Sequence, residues 1–338
     1  MALGIEMKRM DLRDRLSLEH PILQAGMGGG LAGAELATAV SNAGGLGTVG
    51  FAPPREFERD IERTKSETGG RSYAANLLMP FALRAHVRAC LTHRVPVVTV
   101  FFGFDAAMIR ALKEAGTYII SQVGTEMEAE RVVAAGADAL IVQGHEAGGH
   151  VRGTERLAVL FPTIRERFRA VPVIASGGIW DRDSAAKARS LGADGVSCGT
   201  RFLMTDESRA HPMYKRRLVE ADSTVVTTLF GIGWPAPHRV VSNQALRRWC
   251  DDNGQPRAGI RAINWLSQFG AKLAPPEQVH RMTRSQRLGR PLYTPESLVV
   301  GMDPRLIEVT PAYAGECVSN ITASWPAAHV VDELAKGF

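Results

Sequence analysis

Cysteine is scarce in this chain. Cys90, Cys198, Cys250 and Cys317 lie far apart, form no CxxC pair and sit in apolar or mixed stretches. That excludes a disulfide framework or a zinc ribbon and predicts four free thiols. Lysine is scarce too: 33 of the 40 basic residues are arginine, and they are scattered rather than interleaved with aromatics. With a net charge of only +5, nucleic acid is not an expected partner. No apolar run reaches the length of a membrane helix, and the opening MALGIEMKRM lacks the apolar core of a signal peptide. The expectation is a cytosolic protein with no membrane partner. What the chain does have is bulk, with 45% hydrophobic residues over 338 positions. That suffices for one large α/β barrel or two ordinary domains.

Between Pro21 and Thr200, short apolar runs alternate with amphipathic stretches. The runs cover 22–24, 46–50, 73–77, 97–101, 118–122, 139–143, 173–175 and 195–198; the helix-like stretches cover 33–42, 55–68, 82–93, 105–115, 126–135, 157–169 and 183–191. Strand and helix alternating through short connections dictate a parallel sheet, because each crossover passes over one face. Eight such units close best as a (β/α)8 TIM barrel, whose chemistry sits at the C-terminal strand ends. The phrases EAGTYI, AAGADAL and SLGADGV each place a glycine where a helix stops before the next strand. After Thr200 the beat ends. Residues 203–290 hold arginine-bearing helical stretches and the turn-rich GIGWPAPHR without convincing strands, which predicts a mostly helical cap. The closing helix is expected near 326–336. The barrel would then comprise 1–202 and 291–338, with the cap over its mouth.

One stretch stands out, DALIVQGHEAGGH at 138–150. Its apolar half reads as a strand buried on both faces. Gly148 and Gly149 then free the backbone for positive φ and for contact with a flat ligand. His150 follows, the one nearby side chain that exchanges a proton near neutral pH. The two histidines of HEAGGH are five apart and separated by a glycine pair, so the zinc-protease helix is excluded and no metal is expected.

Other glycine clusters fall at strand ends. Gly28, Gly30 and Gly33 satisfy GxGxxG, but the second strand ends TVGFAPP with no carboxylate to hold a ribose, which argues against a Rossmann site. The alternative is a backbone wall, with Gly26, Met27 and Gly28 against an aromatic ring system. Ser176, Gly177 and Gly178 end the seventh strand, and Gly199 and Thr200 end the eighth; in barrels these adjacent turns form the usual phosphate site. Asn76, Gln122 and Gln143 project amides from strand ends, available to a polar ligand or to loop backbone. In the cap, His238 and Arg239 either reach an anionic substrate or form a helix-terminal, solvated pair.

PILQAGM with SNAGGLG, the YAANL strand end, VQGHEAGGH, PVIASGGI and LGADGVSCGTRF together resemble the nitronate monooxygenase family, with GIGWPAPHRV and AYAGECV as later landmarks. The resemblance implies an FMN-containing (β/α)8 barrel, related to FMN-dependent enoyl reductases. It implies that Gly26, Met27 and Gly28 flank the isoalloxazine, that Asn76 and Gln122 contact the flavin or its ribityl chain, and that Gly148 and Gly149 let the loop close over the ring. Ser176, Gly178, Gly199 and Thr200 would hold the phosphate, and His150 matches the catalytic histidine. HVRG and Trp180 depart from the family pattern. The expected reaction is oxidation of an alkyl nitronate by O2 to a carbonyl compound and nitrite, by a monomer or homodimer. The alternative is NAD(P)H-dependent reduction of an enoyl thioester, enone or quinone.

Overall fold

The apolar runs pair edge to edge in the computed structural model, which describes residues 11–271 and 276–338. The strands in chain order are β1 (Ile22–Gln24), β2 (Gly47–Val49), β3 (Tyr73–Leu78), β4 (Val97–Phe101), β5 (Tyr118–Val123), β6 (Ala139–Gln143), β7 (Gly149–His150), β8 (Val173–Ser176), β9 (Gly195–Cys198), β10 (Val225–Thr227), β11 (His238–Val241) and β12 (Ala312–Tyr313). Eight of them form one parallel sheet in the order β1-β9-β8-β6-β5-β4-β3-β2. The seam between β1 and β2 closes partly through side chains. Leu23 bridges Leu46 in parallel, Leu46 N donates to Ile22 O at 2.8 Å, and Gln24 Oε1 accepts from Thr48 N at 2.8 Å. The result is the expected (β/α)8 barrel.

Leu23, Ala74, Val97, Ile120, Ile141 and Ile174 fill the barrel axis, and Leu12 and Leu16 of the short helix Leu12–Leu16 plug its lower end. Everything that can bind a ligand is therefore pushed to the upper end, where the strands finish. The glycines read as helix stops do that work: Gly116, Gly136 and Gly192 all have positive φ, which costs a residue with a Cβ but not glycine. Helix Ala327–Ala335 packs beside Ala34–Asn42 and Arg182–Ser190 and completes the outer ring.

The cap differs from the helical expectation. It does contain helices at Pro212–Val219, Gln244–Trp249, Ala258–Ala271 and Pro276–Arg284. It also holds a small antiparallel sheet in which β10 pairs β11 and β11 pairs both β12 and β7. Two-residue and three-residue strands leave too little alternation to be read from sequence. This sheet has its own apolar cluster around Tyr214, Phe230, Val240, Tyr293 and Leu298, which reaches on to Ile321.

Candidate active site

Gln143 ends β6, and the chain then doubles back over the barrel mouth. Gly144 N donates to Ser176 O at 2.9 Å. Gln143 Nε2 donates to His150 O at 3.0 Å and its Oε1 accepts from Arg152 N at 3.2 Å, so this amide fastens the loop that carries His150. Glu146, buried, accepts from Leu157 N with both carboxylate oxygens at 3.1 Å and caps helix Leu157–Arg167. The two glycines serve different ends. A Cβ on Gly148 would strike the backbone of Ala314 and Gly315, so this glycine permits close packing of loop against cap rather than contact with a ligand. Gly149 has φ +73° with open space around it. His145 leans its Nδ1 on Gly153 O at 3.1 Å, and no group of three metal-ligating side chains occurs among the described residues.

His150 thus belongs to both halves of the molecule: a barrel loop delivers it, and the cap sheet holds it opposite His238. Its ring lies on Trp234, centroids 3.7 Å apart, with Phe102 edge-on at 6.1 Å, Tyr313 at 5.5 Å and His238 at 5.2 Å. Phe102 has φ +60° at the end of β4, a strained backbone for an aromatic residue of the kind that gathers at functional sites. Its ring is held between Trp234 at 4.8 Å and the Arg152 guanidinium at 5.4 Å.

Burial holds the imidazole of His150 well below its ordinary range, and His238 adds to the shift. His238 is itself pushed down to about 4 by burial, partly offset by its bond to Ala236 O at 2.9 Å. Both rings are neutral at physiological pH. The Nε2 atom of each is sealed from solvent with no hydrogen-bond partner.

The pair expected at 238 and 239 divides by strand alternation, since neighbours on a strand face opposite ways. His238 faces the chamber and is fully buried. Arg239 faces away, donating to His145 O at 2.9 Å and pairing with Glu316 at 3.2 Å. It is neither helix-terminal nor solvated, and it does not meet the chamber.

Below His150, at the barrel axis, a small cavity is lined by Gly26, Asn76, Thr99, Gln122 and Ser197. The missing Cβ of Gly26 makes room for the Asn76 side chain, whose Oδ1 accepts from Thr99 Oγ1 at 3.0 Å. Ser197 Oγ is buried without a partner; nothing in GADGVSCG marked it out beforehand. Met27, half-buried, touches both the barrel and the cap clusters. Gly28 packs on Phe51 O, and Gly29 N donates to that same oxygen at 3.0 Å. The Rossmann alternative fails at Gly33. The Arg209 guanidinium occupies the space over that helix start, bound to Glu35 and Asp60, where a dinucleotide would need its pyrophosphate.

On the far side of the mouth, Gly177 and Gly178 turn with φ +118° and +67°. Beside them, Gly199 starts the short helix Thr200–Leu203. Thr200 Oγ1 accepts from Gly315 N at 2.9 Å and lies within hydrogen-bond reach of the Cys317 thiol. Ser176 is buried one position before the glycine turn. Arg201 follows with a buried guanidinium that donates to Met204 O and Ala323 O, each at 2.7 Å, and lies over Trp325. Burial lowers it to about 10. A buried cation bonded to carbonyls rather than to a carboxylate favours an anion nearby.

Comparison with known proteins places this architecture. The chain matches the family described as nitronate monooxygenase over residues 9–86 and 51–282. It is 32% identical to the (3aS,4S,5R,7aS)-5-hydroxy-7a-methyl-1-oxo-octahydro-1H-indene-4-carboxyl-CoA dehydrogenase of Mycobacterium tuberculosis, over 96% of this chain and 92% of that protein. It is 31% identical to a probable nitronate monooxygenase of Bacillus subtilis, over 64% of this chain and 75% of the relative. Among solved structures, FabK from Thermotoga maritima superposes with a TM-score of 0.76 at 31% identity, covering 98% of this chain and 96% of that one. A nitroalkane oxidase from Streptomyces ansochromogenes superposes with a TM-score of 0.74 at 28% identity, covering 96% and 97%.

Proposed function

This chain belongs to the nitronate monooxygenase family and is a flavin-dependent oxidoreductase that uses FMN, and on that premise we propose that it oxidises a small nitro compound, as nitronate or nitroalkane, to a carbonyl compound and nitrite. The observation that carries the reading is His150: a neutral imidazole, held over the barrel mouth and enclosed by aromatic rings.

The residues at the mouth fit FMN. Ser197 Oγ is an orphaned polar atom in the axial cavity, the open side of Gly149 leaves room for a flat ring, and the Gly177–Gly178 turn stands beside the start of Thr200–Leu203. We assign the phosphate to Ser176, Gly177, Gly178, Gly199 and Thr200, and the ring and ribityl chain to Gly26, Met27, Gly28, Asn76, Gln122 and Gly149. When bound, FMN supplies the electron-accepting chemistry, with O2 as the terminal acceptor.

The chain's own residues do the rest. Trp234, Phe102 and Tyr313 exclude water from the reacting carbon. His150 holds the nitro group or takes the α-proton of a neutral nitroalkane as general base. His150→Ala is expected to lower nitroalkane turnover by about two to four orders of magnitude, while FMN stays bound; undiminished turnover would remove His150 from the reaction.

A second reading has its own support. A relative that matches this chain over 96% of its length is a carboxyl-CoA dehydrogenase, which makes a thioester substrate the alternative. Anaerobic mixing separates the two: bleaching of the FMN absorbance by nitroalkane or nitronate supports the nitro substrate, and bleaching by NADH or NADPH followed by reoxidation with an enoyl thioester supports the other.

A further inference from the structure

His238 has no place in the reaction as derived so far, yet its surroundings constrain it tightly. A carbonyl oxygen only accepts, so the 2.9 Å contact between Nδ1 and Ala236 O puts the ring proton on Nδ1 and the lone pair on Nε2. That Nε2 is buried without a partner, in a residue with no solvent exposure. The rings around it are His150, Tyr313 and Phe230, at 5.2, 5.8 and 5.9 Å. The Tyr313 hydroxyl already donates to Pro295 O at 2.8 Å. Of these rings among the described residues, the one able to satisfy a lone pair there is His150, whose own Nε2 is equally sealed and unpartnered. The two residues are paired across antiparallel strands. A centroid separation of 5.2 Å is close to the span of two imidazoles joined by an N–H···N bond of about 3 Å.

We propose that His238 is a positioning residue: in the FMN-bound enzyme its Nε2 accepts the Nε2–H of His150, which fixes His150 in the tautomer whose Nδ1 lone pair faces the mouth, ready to take a proton from a neutral carbon acid. This rests on the reading of His150 as the group that meets the substrate. A turn of the His150 ring on the face of Trp234 makes the bond. Nδ1 then takes the proton from the carbon α to the activating group, and the electron pair of the broken C–H bond stays on the substrate as its conjugate anion, ready to be oxidised by FMN. The imidazolium so formed keeps its Nε2–H on His238. A pre-formed nitronate has no proton to give and does not call on this step.

The test uses the FMN-loaded enzyme. With 15N-labelled histidine, long-range 15N–1H correlation of the wild type is expected to show His150 protonated on Nε2 and bare on Nδ1, and His238→Phe is expected to lose that preference. In parallel, His238→Phe is expected to lower kcat on a neutral primary nitroalkane roughly ten- to a hundredfold, the range for partners that orient a working histidine. Turnover of the pre-formed nitronate, KM and the FMN absorbance should stay within about twofold. His238→Gln, which keeps an acceptor oxygen, should recover most of the lost kcat. A wild-type His150 protonated on Nδ1 overturns the proposal, and so does an equal loss on nitroalkane and nitronate. If neither nitro substrate is turned over, the functional reading falls, while the tautomer of His150 still decides the role of His238.

Discussion

The barrel and the cap sheet meet at His150 but are held together in opposite ways. Barrel strands pair with neighbours along the chain, separated by one helix, and nearly every strand residue is buried, most of them apolar. The cap sheet joins residues 150, 238, 227 and 313 in adjacent register, drawn from three distant parts of the chain. Its buried residues include histidine, arginine and threonine. A frame of local, repeated units tolerates a loop that wanders over its mouth; a sheet of short non-local strands fixes one side chain of that loop against another. In the proposed reading the cofactor belongs mainly to the barrel and the proton chemistry to the cap.

The largest way to break this division is at Arg209. It sits at the base of the cap, where its backbone bonds Leu31 O and Val300 N, and its guanidinium reaches the barrel helices: 2.8 and 2.9 Å to Asp60, 2.9 Å to Glu35. Asp60 is almost wholly buried, 4% exposed, so removing its partner strands a carboxylate. Arg209→Met is expected to cost about 3 kcal/mol or more, read as a lowered midpoint in urea. If cap and barrel form one cooperative unit, tryptophan fluorescence and far-UV signals fall together; a cap that melts first would show that the two regions are joined only at this clamp.

Acid offers a second route, of similar or slightly smaller size and confined to the cap. His238 is held at about 4 when folded and returns to its ordinary range near 6.5 when unfolded. Between those values the unfolded chain binds the proton and the folded chain does not. Stability is thus complete above about pH 6.5 and falls as the pH drops toward 4, by about 3 kcal/mol for this one group. His150 is shifted in the same direction and adds to the loss. His238→Phe should flatten much of the slope of melting temperature against pH in that window, and an unchanged slope would mean that other groups carry it.

Legibility in the sequence follows the same boundary. All eight barrel strands and seven of the helices around them stand out because apolar runs of three to six residues recur with glycine stops between them. The Ser176–Gly178 and Gly199–Thr200 turns fall at strand ends as read, and His150 follows the loop after β6. The cap sheet was not: β7 and β12 are two residues each, and GIGWPAPHR reads as turn because Gly231, Gly233, Pro235 and Pro237 precede a four-residue strand. Two glycines that looked like ligand positions, Gly33 and Gly148, are small because Arg209 and the Ala314–Gly315 backbone lie against them. Contacts between residues more than 150 apart leave no local pattern to read. Tyr313, 163 residues from His150, was missed for the same reason, and Trp234 because it sits in that turn-like stretch.

The finest test lies where the two regions touch. Gln143 is the last residue of a barrel strand, and both ends of its amide hold the segment that becomes a cap strand, at His150 O and Arg152 N. Gln143→Leu keeps the volume and the apolar strand but leaves one carbonyl and one N–H without that partner. The cost is expected to be about 1 to 2 kcal/mol, small for the whole fold and concentrated in the loop. Backbone amides at 149–152 should exchange with solvent faster by the corresponding factor of roughly five to thirty, while the barrel strands and the bound FMN are unchanged. Because His150 is then less firmly set opposite His238, kcat should fall with little change in KM. Faster exchange spreading through β5, β6 and β8 would instead mean that the loop is part of the frame, and that the separation of a barrel that binds from a cap that aims the imidazole does not hold at this residue.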